Sequence, residues 1–524
     1  MARPIEAVSG GQRGGEGIIA RGGPSLALAT LCTLLFLTFL DNTVVSVALG
    51  YIQTSLRTTV SDLQWVVGGY ALTFATLMLA CGMIGDELGR KKVMLAGAGV
   101  FCAGSVLAAL APNVGTLIAG RAVMGLGAAA SEPGTLSMLR QLYPDPKARS
   151  RAIGVWAGTS GFALAMGPVV GGVLCGLWSW RGIFWFNLFF GLAALIVAAI
   201  ILPENADPTA ARVDTAGTLI GAAALAAFVF AIIDSESAGL GAADVIALLC
   251  LSAAGLVVFG WRESRAAYPL LDLRYLRMPN FSTPTIIAFS TYFSTFAIFF
   301  FTALYLNEVV GASGYRLALV FLPMTALMIT ASVVAGRWTI LVGPRWSITI
   351  GCLLLAIGLF LAQGYLSPHP SYGPLIVSLA VAGIGIGTTV VPITSSALSA
   401  VPAERSGMAA SATNTSREVG AVTGVAILGS LVYSRLHASL VMQMNHLGVP
   451  KQFQGLVINA IETGTIPKNP NYNYGKIVQE VINAAYTAFH DGLQAALYLS
   501  AALAVVAALL AAITLRPRPT DAGS

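Results

Sequence analysis

Five ionisable residues, Asp41, Arg121, Glu132, Arg417 and Glu418, each interrupt a long apolar run of the chain. A charge at mid-bilayer costs at least about 2.5–3.5 kcal/mol on insertion scales, so each of the five calls for a functional reason. Asp41 lies eight residues before the end of its run and Arg121 seven after the start of its own. At about 1.5 Å per residue both come to rest about 10–12 Å below the same face, where they can meet. Such a contact is either a proton-sensitive coupling or a static ion pair that fixes two helices. Glu132 follows Arg121 by eleven residues, about three helical turns, so the two share one face with about 16 Å between them. It reads as a cavity carboxylate that exchanges a proton or meets substrate, or as a partner for backbone freed by Pro133. Arg417 and Glu418 fall near the midplane, and adjacent helical residues point about 100° apart, so they do not simply neutralise each other. Glu418 is then a second proton or cation site. Trp65, Tyr70, Phe293 and Phe296 supply aromatic walls for an amphipathic, cationic compound, or else face lipid or core.

The elements that position these groups are set by lipid. With 56% hydrophobic and 10% charged residues, the chain is far below the roughly 25% charge of soluble domains. Fourteen apolar runs recur, each near the ~20 residues a helix needs to cross about 30 Å of hydrocarbon. They must be helices, since the bilayer core offers no partners for open backbone and the runs lack the alternation of barrel strands. The expected fold is therefore an all-α integral membrane protein. Residues 1–202 form a tail and a first block of six spans, 203–280 a linker with two further spans, and 281–524 a second block of six that includes an outer loop at 434–491.

Counting Lys and Arg along the chain, twenty fall on one set of connections and seven on the other, with Arg121 and Arg417 inside spans. Both termini are then expected in the cytoplasm. The net charge of +6 follows from that bias and implies no nucleic acid; the basic end at Arg516 and Arg518 suits anionic lipid. The six cysteines fall one to a span, with no metal-ligand or redox spacing. The histidines fall in or beside outer connections, and neither a metal nor a cofactor is expected. Gly383 to Gly387 lacks the strand context of a nucleotide site, and no Walker pattern occurs.

The two six-span blocks look like parallel repeats. Pro133, Thr135, Ser137 and Leu139 match Pro392, Thr394, Ser396 and Leu398 at identical spacing. Between spans 2 and 3 the segment GMIGDELGRKK contains Gly82, Asp86, Gly89, Arg90 and Lys91. It is a tight basic turn that acts as a membrane anchor or a conformational latch. Gly167, Gly171 and Gly172 form a small-residue face beside the helix-breaking Pro168, suited to close helix packing, with one carbonyl freed by the proline.

The GMIGDELGRKK turn resembles the signature loop of the major facilitator superfamily, although Glu87 stands where that family usually has a basic residue. LDNTVVSVAL from Leu40, GRAVMGLGAA from Gly120 and GFALAMGPVVGG from Gly161 are similar to the first-, fourth- and fifth-span motifs of its fourteen-span drug:proton antiporters. Asn414, Arg417, Gly420 and Gly424 are spaced like the thirteenth-span pattern of the same proteins. The likeness covers nearly the whole chain. It implies a major facilitator fold of two six-helix bundles plus two central helices. The placement of the charges within such a fold makes Asp41, Arg121 and Glu418 the residues expected to couple protons. Glu132, Arg417, Asn414 and the four aromatics would line the substrate cavity, and the glycine-rich segments would serve gating. Glu132 departs from the family, where an apolar residue usually precedes the span-4 proline.

The expected activity is proton-driven export of hydrophobic or amphipathic small molecules, not enzymatic chemistry, by a monomer in the plasma (inner) membrane. The alternatives are an exporter dedicated to one antibiotic, lipid or metabolite, or a non-transporting receptor or scaffold on the same fold.

Overall fold

The computed structural model describes residues 23–204, 214–239, 241–266, 273–366, 371–402, 406–451 and 476–515, with a few isolated positions between them. The N-terminal tail, the basic residues Arg516 and Arg518, His369, part of the 203–280 linker and the middle of the 434–491 segment lie outside the described residues. Within the described residues the chain is helical, with no strand. Thirteen helices are long and apolar enough to cross a membrane, and Val60–Leu88, at 29 residues, has the length of a fourteenth.

In chain order they are α1 (Gly23–Leu56), α2 (Val60–Leu88), α3 (Arg90–Ala109), α4 (Val114–Leu142), α5 (Pro146–Leu177), α6 (Arg181–Ile201) and α7 (Thr215–Ala238). There follow α8 (Ala243–Arg265), α9 (Pro279–Asn307), α10 (Gly314–Thr339), α11 (Leu341–Gln363), α12 (Tyr372–Ser399), α13 (Ser406–His446) and α14 (Lys476–Thr514).

Their starts carry the expected caps. Thr59 and Asp62 form a reciprocal capping box at α2. Asn113, Asp145 and Asp214 accept from backbone N–H groups in the first turns of α4, α5 and α7, satisfying donors that the helix leaves open. The α2–α3 connection shrinks to Gly89, whose φ of 111° an L side chain rarely adopts. At the start of α11 the chain folds back at Gly343 (φ 80°, ψ 160°). Thr339 Oγ1 reaches Ser347 Oγ at 3.1 Å there, a pair that a continuous helix would hold about 12 Å apart.

Three features depart from the pattern of runs. α1 tightens into a 3₁₀ turn at Val45–Ala48, and α9 opens into a π-turn at Ile298–Thr302. The segment 434–491, where Ile477, Val478, Val481, Ile482 and Ala485 have the spacing of an amphipathic helix, is helical at both ends. α13 continues through Ser434 to His446, burying Leu436, Leu440 and Met444 on one face, and α14 begins at Lys476. Apolar residues four apart keep a helix packed past the hydrocarbon edge, so run length alone underestimates it.

The first bundle packs α1 on α5 and α6, and α4 on α2 and α3; the second packs α12 on α10 and α11, and α9 and α14 on α13. The halves meet along α5–α10 and α2–α13. A Cβ on Gly172 would stand 2.9 Å from Ala318 Cβ and one on Gly176 2.7 Å from the Tyr315 ring, so only glycine admits this approach. Both contacts lie at the end of the molecule that carries the α1–α2, α5–α6, α9–α10 and α13–α14 connections, hereafter the closed end. At the start of α5 the situation reverses: Gly154 and Gly158 face open space, and Val155 is 52% exposed.

The extra pair sits at one seam. α7 touches both α2 and α13, with Ser235 Oγ 3.5 Å from Ser430 Oγ. α8 packs on α7, and its Leu251, Val257 and Trp261 are exposed for lipid. The start of α7 is pinned to the end of α8 by Asp214 and Arg262 at 2.7 Å. Hydrogen bonding from that guanidinium holds the Asp214 carboxyl below the usual carboxylate range.

Candidate functional site

Three consecutive residues of α1 point in three directions, as a helix dictates. Asp41 turns into its own bundle. Its Oδ2 accepts from Nη1 of Arg121 on α4, and its Oδ1 accepts from Asn187 Nδ2 on α6 at 2.6 Å. Arg121 is further fixed by donation from Nε to the Val66 carbonyl at 2.9 Å, and its guanidinium lies 4.4 Å from the centre of the Tyr70 ring. Tyr70 in turn donates to the Thr38 carbonyl at 3.1 Å. Both members of the ion pair have side chains with 0% exposure, so neither charge is relieved by water and the pair must be matched internally.

Asn42 turns the other way. Its Nδ2 donates to Glu418 Oε1 of α13 at 3.0 Å, crossing from one bundle to the other. The reciprocal bond runs back: Asn414 Nδ2 of α13 donates to Glu132 Oε1 of α4 at 2.7 Å. Each half thus lends an amide to a carboxylate of its partner. The second oxygens, Glu132 Oε2 and Glu418 Oε2, are buried without a hydrogen-bond partner, and a buried carboxylate oxygen left unmatched invites a proton or a cationic donor.

Arg417 does not pair with Glu418. Its Nη1 donates to Asn414 Oδ1 at 3.0 Å and its Nη2 to Thr394 Oγ1 at 2.6 Å, while its guanidinium lies 5.5 Å from the Tyr292 ring centre. Thr394 and its repeat counterpart Thr135 play matching parts. Thr135 accepts from Trp156 Nε1 of α5 at 2.9 Å and Thr394 from Arg417 of α13, the helix that a parallel repeat makes equivalent to α5.

Of the four aromatics, Tyr70 alone supports a charge of this network. Trp65 packs against Phe230 of α7 with tilted rings, 4.2 Å between ring centres. Phe296 is buried in the core, and Phe293 lies beside Phe289, with its backbone against Gly424. In the α2–α3 segment, a Cβ on Gly82 would come within 3.3 Å of Pro133 Cβ, so the last turns of α2 rest against the residue next to Glu132. Gly89 makes the turn itself, Arg90 opens α3, and Lys91 Nζ donates to the Ala199 carbonyl at 2.7 Å. The side chain of Asp86 lies outside the described set.

On α5, Gly171 sits against the backbone and side chain of Val44 and Gly172 against α10. A Cβ on Gly167 would come within 2.8 Å of the Val44 nitrogen. Pro168 lies inside the helix, and the Leu164 carbonyl that it deprives of a donor accepts from Thr43 Oγ1 at 2.8 Å.

Asn42, Asn187, Thr394 and Tyr292 are missing from the sequence-derived candidates. Asn42 had a signal, being adjacent to Asp41, and so did Asn187, the lone amide in α6; a neutral amide is simply less conspicuous in an apolar run than a charge. Among the described residues no group of three His, Cys, Asp or Glu converges as metal ligands.

Residues 31–425 match the family model described as Major Facilitator Superfamily. The chain is 32% identical over 480 residues to "Multidrug resistance protein Stp" of Mycobacterium tuberculosis, covering 90% of this chain and 88% of that one. It is 28% identical over 508 residues to "Tetracenomycin C resistance and export protein" of Streptomyces glaucescens, covering 96% and 93%. The fold superposes with a TM-score of 0.65 on a crystal structure of a bacterial homolog of the human lysosomal transporter Spinster in an inward-facing, unoccupied conformation. The identity there is 18%, over 94% of this chain and 97% of the other.

Proposed function

Because this chain belongs to the Major Facilitator Superfamily, we propose that it is a proton-coupled exporter of hydrophobic or amphipathic small molecules, working by alternating access. One observation carries the reading: two buried carboxylates, Glu132 and Glu418, each bridge the halves through an asparagine and keep one oxygen unpartnered. Next to them lies the sequestered Asp41–Arg121 pair. Ionised together, Asp41, Arg121, Glu132, Arg417 and Glu418 sum to one negative charge, which a single proton or cation neutralises. Taking up that charge weakens the attraction each carboxylate offers to the opposite half's amide, and so biases which end is closed.

In this scheme both termini are cytoplasmic, the closed end faces outward, and the molecule works as a monomer in the plasma membrane. Its energy comes from the proton gradient, with no bound cofactor. Each proton moving inward down 100 mV yields about 2.3 kcal/mol, enough for about fiftyfold accumulation.

The export function is supported by the relatives' descriptions as multidrug resistance and export proteins. The second of these names a single compound, which favours a narrower reading, a pump dedicated to one antibiotic-like molecule. Inverted vesicles separate the two. Several unrelated dyes moving on lumen acidification supports the broad reading, and movement of one compound alone supports the narrow one. If no dye or antibiotic moves with the gradient in vesicles containing folded protein, the proposal falls.

A further inference from the structure

Pro168 leaves α5 with one carbonyl to place, and two threonines from different halves bond that carbonyl and the one beside it. A proline removes the hydrogen bond to the carbonyl four residues earlier and its ring pushes that carbonyl aside. Here that carbonyl is Leu164, and Thr43 of α1 donates to it at 2.8 Å. The adjacent carbonyl, Ala165, accepts from Thr325 Oγ1 of α10 at 2.7 Å. Both threonines are buried, and neither bond belongs to a regular helix ladder.

The two bonds differ in kind. α1 and α5 lie in one bundle and are pressed together at Gly167 and Gly171, so the Thr43 bond joins parts that move as one. α10 belongs to the other bundle, so the Thr325 bond spans the surface along which the halves must separate. Thr43 also directly follows Asp41 and Asn42, so the residue that bonds the α5 proline region is two residues from the ion pair and one from the Asn42–Glu418 bond. Gly161 and Ser332 continue the same seam, a Cβ on Gly161 standing 3.3 Å from Ser332 Oγ.

We infer that Thr325 is a positioning residue of transport: its bond to the Ala165 carbonyl is made while the closed end is closed and is released when that end opens, whereas the Thr43 bond persists in both states. The role is independent of proton or substrate chemistry and follows from a hydroxyl of one half bonding a carbonyl of the other, but it rests on the alternating-access reading above. Loss of one net hydrogen bond present in only one state shifts the ratio of states by about two- to tenfold.

The test uses the full-length protein with its six native cysteines replaced by alanine and spin labels on Leu110→Cys and Ser313→Cys, exposed positions in opposite halves at the closed end. Distances are measured by double electron–electron resonance in nanodiscs. Thr325→Val is expected to raise the long-distance population about two- to tenfold. Thr325→Ser, which keeps the hydroxyl, should restore the original ratio, and Thr43→Val should leave that ratio unmoved. Should the valine variant not fold, Thr325→Ala replaces it with the same expectation.

An unchanged ratio in Thr325→Val, absence of rescue by serine, or an equal shift in Thr43→Val overturns the assignment. A parent protein that shows one distance at every pH overturns alternating access itself. That outcome is recognisable because it appears before any threonine is changed.

Discussion

Asp41→Asn keeps the shape of the side chain and removes its charge, and so asks what Arg121 becomes without its partner. The guanidinium is wholly buried, and among the described residues Asp41 is the one ion-pair partner it has. Its remaining supports are the Val66 carbonyl at 2.9 Å and the Tyr70 ring face at 4.4 Å, while Nη2 has no partner. Removing one member of a buried pair strands the other charge, at a typical cost of about 3–5 kcal/mol. That is the expected loss of unfolding free energy in Asp41→Asn, read by reversible unfolding of the purified protein in mixed micelles. Adding Arg121→Gln removes the stranded charge. The double variant should therefore recover most of the loss, giving a coupling energy larger than the 0.5–3 kcal/mol common for residues in contact. Neither variant should move substrate in response to a proton gradient in proteoliposomes. Two results would refute the reasoning about stability: an Asp41→Asn protein as stable as its parent, or a double variant no more stable than the single one. Proton-driven transport by Asp41→Asn would remove Asp41 from coupling whatever the stability measurement gives.

Asn42→Ala and Asn414→Ala each delete an amide-to-carboxylate bond between the halves, worth about 1.5–3 kcal/mol if the acceptor is charged. Each should increase modification of an Ala318→Cys reporter, buried against α5 at the closed end, by a membrane-impermeant thiol reagent tenfold or more, and equal reactivity in variant and parent would show that the bonds do not hold the end shut. Gly167→Ala drives a methyl group into the Val44 backbone. Overpacking of this kind costs about 1–3 kcal/mol, so both thermal stability and transport should fall, and a variant matching the parent in both would mean that α1 and α5 are not in close contact during turnover.

Asp214 offers a check outside the membrane core. Its carboxyl is held below the usual carboxylate range by hydrogen bonds from Arg262. The pairing is therefore fully present above the unfolded value and is lost as pH falls through the depressed one. Protection of the amides at the start of α7, measured against their intrinsic exchange rate at each pH, should be flat from neutral pH down to that range, and Asp214→Asn should show the lower protection already at neutral pH. Rates independent of the substitution would show that the pair does not pin the α7–α8 hairpin.

What the sequence by itself determined is the part dictated by lipid. Apolar runs of about twenty residues have one stable form, and a charge inside them has to be matched, so the spans and the meeting of Asp41 with Arg121 both followed from run length and rise per residue. The turn at Gly89 and the tight face at Gly167, Gly171 and Gly172 were legible for a related reason, because only glycine suits those positions.

The tertiary structure alone decided which faces of different helices meet. It selected Asn42 for Glu418, Asn414 for Glu132 and Asn187 for Asp41, placed Thr43 and Thr325 on adjacent carbonyls of α5, and set Trp65 against α7. The 3₁₀ turn at Val45–Ala48 and the π-turn at Ile298–Thr302 belong with these, since neither contains a proline or glycine to announce it. A neutral amide or hydroxyl satisfies itself almost anywhere along an apolar helix, so its partner is fixed by packing between helices and leaves little trace in the order of residues along one of them.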